Sequence, residues 1–328
     1  MKNKKYILVS GGAGYIGSVT SKLLLENNNQ VVIIDNLSSG RISAIPKGAI
    51  FIKGNIGDKN LLFKAFNHYK FDCVIHFAAH IRVEESMQDP KKYFENNVLS
   101  GLNLLQTMIS TNCRKIVFSS SAAVYGTPQK LPVSEDAPLN PVNPYGQTKK
   151  LFELILQEFA QAGLLDYIAL RYFNVAGAYI TSDDAWGENH TPETHLIPLL
   201  LHSAQNKNKF VIYGDDYSTL DGTCIRDYVH VYDLAQAHIL AMKRGFKEGQ
   251  VYNVGNGRGY SNKEVLQTAQ NISGIRIPYK IGPRRAGDCP VLVASSKKIK
   301  RELGFKPIKS DLKTIIQDVW NYHSLTQK

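Results

Sequence analysis

Tyr145 and Lys149 stand four residues apart, a spacing that places a phenol and an ammonium on one face of a helix. A phenol has an unperturbed pKa of about 10 and is a poor base at neutral pH. A neighbouring cation favours the phenolate and moves that pKa toward the working range. The pair therefore predicts proton removal from a hydroxyl group, although a tyrosine and a lysine at this spacing also occur by chance.

Three glycines form a second candidate site near the start of the chain. Gly11, Gly14 and Gly17 give G-x-x-G-x-x-G, directly after an apolar strand pattern and before a helical one. A turn without Cβ atoms lets backbone N–H groups and the helix N-terminus approach a pyrophosphate. Asp35 lies 18 residues after Gly17, where an acidic side chain accepts hydrogen bonds from an adenosine ribose and disfavours a 2′-phosphate. The pattern favours NAD over NADP; an ordinary turn and a strand-end cap are the alternatives.

The elements that must position these residues follow a doubly wound pattern. Short, nearly all-apolar runs alternate with helical patterns, as expected when both faces of a parallel sheet are covered. We predict an α/β fold: a Rossmann-like doubly wound parallel sheet with a smaller α/β substrate-binding lobe. The first domain should comprise 1–175, with 226–246 returning to it, and the loop-rich lobe 176–328. The predicted strands are 6–10, 31–35, 49–53, 73–77, 115–119 and 167–172, and helices should begin near Tyr15, Asp58, Pro90 and Pro144.

Composition restricts the class of protein. The 328 residues carry a formal net charge of +11 and are 43% hydrophobic, an ordinary globular balance. The densest basic stretch, 297–301, has no interleaved aromatic residues for base stacking, so we predict a solvated basic surface and no nucleic-acid partner. The four cysteines lie far apart without metal-ligand spacing. With no apolar run that approaches a membrane span and no signal-peptide pattern, we expect a soluble cytoplasmic protein.

The three-glycine spacing resembles the extended, sugar-nucleotide branch of the short-chain dehydrogenase/reductase superfamily. Phe77-Ala78-Ala79 and Asn96-Asn97-Val98 strengthen this resemblance. It implies NAD as the cofactor, and the positive nicotinamide would add to the effect of the lysine on the tyrosine. Asn55 stands where the family usually has Asp against the adenine ring. The implied cofactor-binding residues are Gly11, Gly14, Tyr15, Ile16, Gly17, Asp35, Asn36, Asn55, Ile56, Phe77, Ala78, Ala79, Asn96, Tyr145, Lys149 and Phe173.

Motifs in the second half resemble the UDP-galactose 4-epimerase family, and this resemblance covers essentially the whole chain in order. The motifs include 171–178, 192–198, 221–228 and 283–288. They imply interconversion of UDP-galactose and UDP-glucose by transient oxidation at carbon 4. They also imply a UDP-sugar partner and a homodimer formed through helices of the first domain. The implied substrate-binding residues are Ser121, Tyr145, Asn174, Leu196, Val211, Tyr213, Arg226, Arg285 and Asp288.

The same resemblance makes Ser121, Tyr145 and Lys149 the catalytic residues. Tyr145 would take the proton of the sugar's 4-hydroxyl while Ser121 positions that oxygen. Ala122 and Ala123 stand where related 4,6-dehydratases carry Asp and Glu. Because alanine cannot transfer a proton, we predict oxidation and re-reduction without elimination.

Two departures from the family pattern bear on cofactor binding and on substrate specificity. Many members have a lysine in the loop where this chain has His80-Ile81-Arg82, so Arg82 is the substitute contact to the cofactor pyrophosphate. Leu292 stands where narrow-specificity members have a bulky Tyr and broad ones a Cys. An epimerase acting also or mainly on N-acetylated UDP-sugars, or on a UDP-uronic acid, is therefore the alternative.

Two other function classes were weighed. His190 and His195 resemble metal ligands, but we predict no metal because no carboxylate or thiolate partner stands at suitable spacing. An NAD-sensing regulatory protein on the same fold would need the glycine turn but not Tyr145 and Lys149, so the pair argues for an enzyme.

Overall fold

Helices and strands occur close to the predicted places. The computed structural model describes residues 6–245, 249–285 and 287–326. The ends of the predicted strands shift by at most two residues. The strands are β1 (Tyr6–Ser10), β2 (Gln30–Asp35), β3 (Ile50–Lys53), β4 (Phe71–His76), β5 (Lys115–Ser121), β6 (Asp166–Tyr172), β7 (Asn174–Ala176), β8 (Ala178–Ile180), β9 (Ala185–Gly187), β10 (Phe210–Tyr213), β11 (Ile225–His230), β12 (Gln250–Val254), β13 (Gly259–Ser261), β14 (Tyr279–Gly282) and β15 (Val291–Leu292).

Helices cover the sheets and connect the strands. A π-helical turn, Glu95–Leu99, joins two of them, and wider turns of this kind occur often at functional sites. In the described ranges, no helix combines the length and apolarity that crossing a membrane requires. The helices are α1 (Tyr15–Glu26), α2 (Lys59–Tyr69), α3 (Val83–Gln88), α4 (Pro90–Phe94), α5 (Ser100–Ser110), α6 (Pro144–Gln161), α7 (Leu196–Asn206), α8 (Val231–Lys243), α9 (Asn262–Ser273), α10 (Lys297–Leu303) and α11 (Leu312–Thr326).

A seven-stranded parallel sheet forms the larger part of the molecule, in the order β12-β6-β5-β4-β1-β2-β3. Its strands are buried on both faces: Ile7 and Val9 lie in one hydrophobic cluster, and Leu8 lies in the cluster on the other side. The strand order reverses between β1 and β4. Open α/β sheets bind ligands outside the carboxyl ends of the strands at such a point, and the predicted catalytic and nucleotide residues follow these ends.

Among the described residues, the rest of the chain forms three further sheets. Strand β11 pairs with β7, β13 and β15, β10 pairs with β14, and β8 pairs with β9. Helices α7, α9 and α11 enclose a third hydrophobic cluster against them. Helix α8 packs against α1, while β11 pairs with strands outside the large sheet. Strand β12, which was not among the predicted strands, lies within 176–328 and extends the large sheet beside β6.

Local sequence determines where the helix of the predicted catalytic pair begins. Asn143 precedes α6, and its side-chain Oδ1 accepts a hydrogen bond of 2.8 Å from the backbone N–H of Gly146. Pro144 occupies the first turn, where its fixed φ suits a helix and its missing N–H has no consequence. Tyr145 therefore lies in the first turn of α6 and Lys149 one turn later, as the spacing predicts.

Candidate active site

The glycine turn between β1 and α1 is shaped for close approach. Gly11 has φ +75°, and a Cβ there would lie 2.6 Å from the backbone nitrogen of Ala78. A Cβ on Gly17 would collide with the Gly11 carbonyl oxygen. These two glycines are thus required by the fold itself. At Gly14, by contrast, a Cβ would meet the Gly11 oxygen at 3.3 Å, a contact that small adjustments can relieve, so packing alone does not explain a glycine there.

Asp35 holds this turn to the end of β2. Its carboxylate accepts a hydrogen bond of 3.0 Å from the backbone N–H of Ala13 and one of 2.8 Å from that of Leu37. Each carboxylate oxygen retains a second lone pair, so Asp35 can still accept hydrogen bonds from a ribose. Asn36 comes directly after Asp35, and its side chain accepts from the N–H of Ser38.

The residues present fit NAD. Helix α1 begins at Tyr15 without a side-chain cap and without an acidic residue in its first turn. Its N-terminal N–H groups and helix dipole therefore favour the negative charge of a pyrophosphate. The Tyr15 hydroxyl donates a 2.6 Å hydrogen bond to the carbonyl of Gly177, just after β7, which connects the turn to the second half of the chain.

The segment after β4 lies beside the glycine turn. The backbone N–H groups of Phe77 and Ala78 both donate to the Ser10 carbonyl, at 2.9 and 3.1 Å. Ala79 continues this segment, and the Phe77 ring lies 4.6 Å from the ring of His238. The three predicted residues are thus held where β1 and β4 end.

The other predicted cofactor residues lie on different elements. Asn55 accepts a hydrogen bond from Gly57, and Ile56 is buried after β3. Ile16 is half-buried in α1, and Phe173 is buried after β6.

Asn97 is a positioning residue that the sequence prediction passed over in favour of Asn96. Its buried amide accepts from the backbone N–H of His80 at 2.8 Å and donates to the His80 carbonyl at 3.0 Å. It also donates to the Thr148 hydroxyl at 3.2 Å, inside α6. Asn96 donates to the Asn97 side chain. Asn97 thereby connects the loop after β4 to the helix of the catalytic pair; the Asn-Asn pair was visible in the sequence, but its long-range partners were not.

Ser121 and Tyr145 meet at the carboxyl end of β5. The side chains lie close to each other, and Tyr145 is 8% exposed. Burial raises the pKa of Tyr145, while its interaction with the Ser121 side chain lowers it in part. The depression of this pKa that the sequence predicts is therefore not produced by the charges of the chain itself.

Lys149 lies one turn from Tyr145 but does not bond to its hydroxyl in this structure. Its ammonium donates a 2.8 Å hydrogen bond to the Ser119 carbonyl and lies 5.9 Å from the centre of the Tyr145 ring. Burial lowers the pKa of Lys149 to about 7, against an opposing effect of Glu153. Lys149 therefore lies beside the phenol without bonding to it, and its own charge is sensitive to its surroundings.

A buried ion pair behind the catalytic pair was not predicted. Arg171 on β6 donates to both carboxylate oxygens of Glu153, at 3.0 and 2.5 Å. Ser120 donates to the same carboxylate, and the third guanidinium nitrogen of Arg171, Nη1, donates to the Tyr125 hydroxyl at 2.9 Å. The spacing of Lys149 and Glu153, four residues apart on α6, was the one local signal for this network.

The predicted substrate residues of the smaller lobe form a cationic cluster around Asp288. The Arg226 guanidinium lies 3.3 Å from one carboxylate oxygen of Asp288, and that of Arg285 lies 2.9 Å from the other. The Arg285 guanidinium also covers the ring of Tyr213 at 5.4 Å. Two cations share one anion, so the cluster keeps a net positive charge that suits a diphosphate.

The other predicted substrate residues occupy different elements. Asn174 begins β7 beside Tyr228 of β11, Leu196 begins α7, and Val211 lies in β10. Leu292 pairs with Arg226 in the sheet, which places the position that relates to sugar specificity next to an arginine of the cluster.

The structure contradicts the reason for excluding a metal at the two histidines. Glu188 and Glu193 lie with His190 and His195, and one donor atom from each of the four lies within 4.8 Å of the others. The signal was present in the sequence, since Glu-x-His occurs twice, at 188–190 and at 193–195. Burial raises the pKa of Glu188, but the two imidazoles lower it further, to about 2, so this carboxylate is ionised.

Comparisons with known proteins agree with this geometry. Residues 7–255 match the model of the NAD dependent epimerase/dehydratase family. The chain is 49% identical over 320 residues to a UDP-glucose 4-epimerase of Lactobacillus helveticus, covering 97% of this chain and 96% of that protein. A UDP-glucose 4-epimerase structure from Brucella ovis in complex with NAD is 44% identical, with a TM-score of 0.92 over 97% of this chain and 98% of the other. One from Bifidobacterium longum in complex with NAD+ and UDP is 36% identical, with a TM-score of 0.93 over 98% and 99%.

These matches extend over nearly the full length of both partners in each pair. They confirm the predicted fold, the predicted family and NAD as its cofactor. The chain belongs to the NAD-dependent epimerase/dehydratase family, among the UDP-glucose 4-epimerases.

Proposed function

We propose that this chain interconverts UDP-galactose and UDP-glucose by transient oxidation and re-reduction at carbon 4. The observation that carries the proposal is the close approach of Ser121, at the carboxyl end of β5, to Tyr145 in the first turn of α6. It occurs in a chain that matches UDP-glucose 4-epimerases over almost its whole length. NAD, held by the glycine turn, Asp35 and the segment Phe77-Ala78-Ala79, supplies the group that accepts the carbon-4 hydride and returns it.

Tyr145 removes and returns the proton of the 4-hydroxyl. Ser121, which lies beside the phenol, orients the same oxygen so that its proton points toward Tyr145. Lys149, 5.9 Å from the centre of the phenol ring, stabilises the phenolate and binds the ribose next to the nicotinamide. Bound NAD would bring a positive nicotinamide, and its charge together with that of Lys149 would lower the pKa of Tyr145 that burial raises. This would reconcile the buried phenol with its use as a base.

The cationic cluster holds the substrate while its sugar changes face. Arg226 is anchored by hydrogen bonds of 2.9 Å to the carbonyls of Ile225 and Cys289, so its guanidinium is fixed before a diphosphate arrives. Arg285 is more exposed and completes the clamp, and Asp288 is then free to accept from the uridine ribose. Firm binding of UDP lets the 4-keto sugar rotate and present its other face without leaving the protein.

Two alanines limit the reaction to this exchange. Ala122 and Ala123 follow Ser121 directly, and neither can donate or accept the proton that loss of water would need. The product is therefore an epimer and not a dehydrated sugar.

Incubating the purified protein with UDP-galactose, without added NAD, tests the proposal. Because each turnover restores NAD, NMR should show UDP-glucose appearing until a fixed ratio is reached, without accumulation of NADH. Parallel reactions with UDP-GalNAc and a UDP-uronic acid measure the alternative substrates beside Leu292. Conversion of an N-acetylated or uronic substrate, but not of UDP-galactose, would replace the proposed substrate.

We also propose a cytoplasmic homodimer. Leu99, Leu151 and Leu154 are large apolar side chains exposed at 56%, 38% and 43% on the helices of the first domain, and a second copy could cover them. All four cysteines are buried and free, which suits a reducing compartment. Light scattering should give twice the mass of the chain, and Leu151→Lys/Leu154→Lys should give the mass of a monomer.

A further inference from the structure

Four side chains converge in the segment between β9 and α7. The Nδ1 atom of His190 lies 3.0 Å from Oε1 of Glu188, and His195 Nδ1 contacts the same oxygen. Glu193 Oε1 lies 3.6 Å from His195 Nδ1. The cluster brings two imidazole nitrogens and two carboxylates within 4.8 Å of one another.

Glu188 is only partly satisfied by these contacts. The residue is 5% exposed, and its Oε2 atom has no hydrogen-bond partner among the described residues. A buried carboxylate oxygen without a partner is costly, because it has given up water without replacing it. This oxygen points to a ligand that the protein side chains do not supply.

The donor set indicates the chemistry of that ligand. Two imidazoles and two carboxylates match the nitrogen and oxygen donors of zinc, whereas Mg²⁺ and Ca²⁺ prefer oxygen-only sets. Donors around a tetrahedral zinc lie about 3.3 Å apart, given bonds of about 2.0 to 2.1 Å, so small side-chain rotations would close the cluster. A dication would also neutralise the two carboxylates.

We propose that Glu188, His190, Glu193 and His195 form a binding site for a divalent transition metal of the zinc type. Four protein donors leave no open coordination position, so the role is structural. The site has access to solvent, since His190 lines a cavity of about 290 Å³ that extends to Gly14 and Tyr15 of the glycine turn.

The site would fix a segment that contacts both halves of the molecule. Thr191 accepts a 3.2 Å hydrogen bond from Arg41, whose backbone N–H donates to Ala13 in the glycine turn. His195 is the residue that precedes α7, and Leu196 is the first residue of that helix. Metal binding therefore orders the connection between the nucleotide turn and the start of α7.

A shared proton is the alternative explanation for the close approach of these side chains. A proton shared by His195 and Glu188 would also hold the two side chains together, without any metal. It would not give Glu188 Oε2 a partner, and it would not explain why a second imidazole and a second carboxylate approach the same point.

Calorimetric titration of the chelator-treated full-length protein with Zn²⁺ distinguishes a metal site from a shared proton. The wild-type chain should bind one Zn²⁺, and Mg²⁺ should not compete. His190→Gln/Glu193→Gln should lose more than about 100-fold in zinc affinity, because even the outer partners of metal ligands contribute roughly 10- to 100-fold. The matched control His68→Gln/Glu84→Gln, which removes the same groups from exposed positions on α2 and α3, should bind as the wild type does.

Absence of zinc binding by the wild type, or equal affinity in the two double variants, would overturn the proposal. Should the cluster variant fail to fold, Co²⁺ binding to the wild type decides. Intense visible absorption, as four-coordinate Co²⁺ gives, supports the site, while weak bands or none contradict it. The proposal does not depend on the epimerase reaction, since no sugar nucleotide enters the test.

Discussion

Replacing Tyr145 with Phe tests the chemical core of the proposed reaction. The substitution keeps the ring, which is 8% exposed, and removes only the hydroxyl and its interaction with Ser121. Loss of one polar interaction should lower the free energy of unfolding by no more than about 1 kcal/mol. The rate should fall far more, by about 100-fold or beyond, because a positioned general base contributes roughly 10²- to 10⁴-fold.

The assay is the initial rate of UDP-glucose formation over a range of UDP-galactose concentrations. Because the base acts in the transition state and not in substrate binding, kcat and kcat/KM should fall together. Tyr252→Phe is the matched control. It also removes one hydroxyl from a buried tyrosine. Tyr252 lies on the edge strand β12 and donates to Glu302 of α10, so the variant should retain the wild-type rate. A Tyr145→Phe rate within about tenfold of wild type, or an equal loss in the control, would refute the assigned role.

Three further predictions concern the elements around the pair. In Gly17→Ala the free energy of unfolding, measured by denaturant titration, should fall by about 1 to 3 kcal/mol, because the added Cβ collides with backbone. Gly14→Ala should remain folded but bind NAD less tightly in a fluorescence titration. Burial lowers the pKa of Lys149 to about 7 in the folded protein. Between about pH 7 and 10.5 the unfolded chain therefore binds more protons at this residue than the folded chain does. Relative to Lys149→Met, the free energy of unfolding of the wild type should rise by about 2 kcal/mol from pH 7 to 9. Asn97→Ala should lower the free energy of unfolding by about 1 to 3 kcal/mol, since it leaves the half-buried backbone N–H and carbonyl of His80 without these partners.

The parts of the site that sequence predicts well are those determined by neighbouring residues. The glycine turn follows from spacing and from the apolar strand before it. The position of Tyr145 and Lys149 on one helix face follows from Asn143 and Pro144, which begin α6. In each case the cause and the effect lie within a few residues, so pattern alone is enough.

The elements and contacts that the sequence prediction missed depend on distant residues. Strand β12 is five residues long and extends the large sheet only because β6 lies beside it. The bonds of Asn97 cross 17 residues to His80 and 51 to Thr148. Such partners are selected by the folded arrangement and leave no local pattern. The four residues of the proposed metal site are different, because they lie within 188–195 and the repeated Glu-x-His pattern is local to the sequence.

Tyr145 can reach Ser121 only if α6 is held in one orientation about its own axis relative to β5. A buried ion pair holds the helix in that orientation. Glu153 lies two turns beyond Tyr145 on α6 and bonds to Arg171 of β6 and to Ser120 of β5. Burying such a pair costs desolvation energy that its mutual attraction often fails to recover, so its value here is geometric: it fixes the helix against both strands. Substitutions at Glu153 should therefore affect the position of Tyr145 as well as the stability of the fold, although neither partner of the ion pair touches the sugar in the proposed reaction.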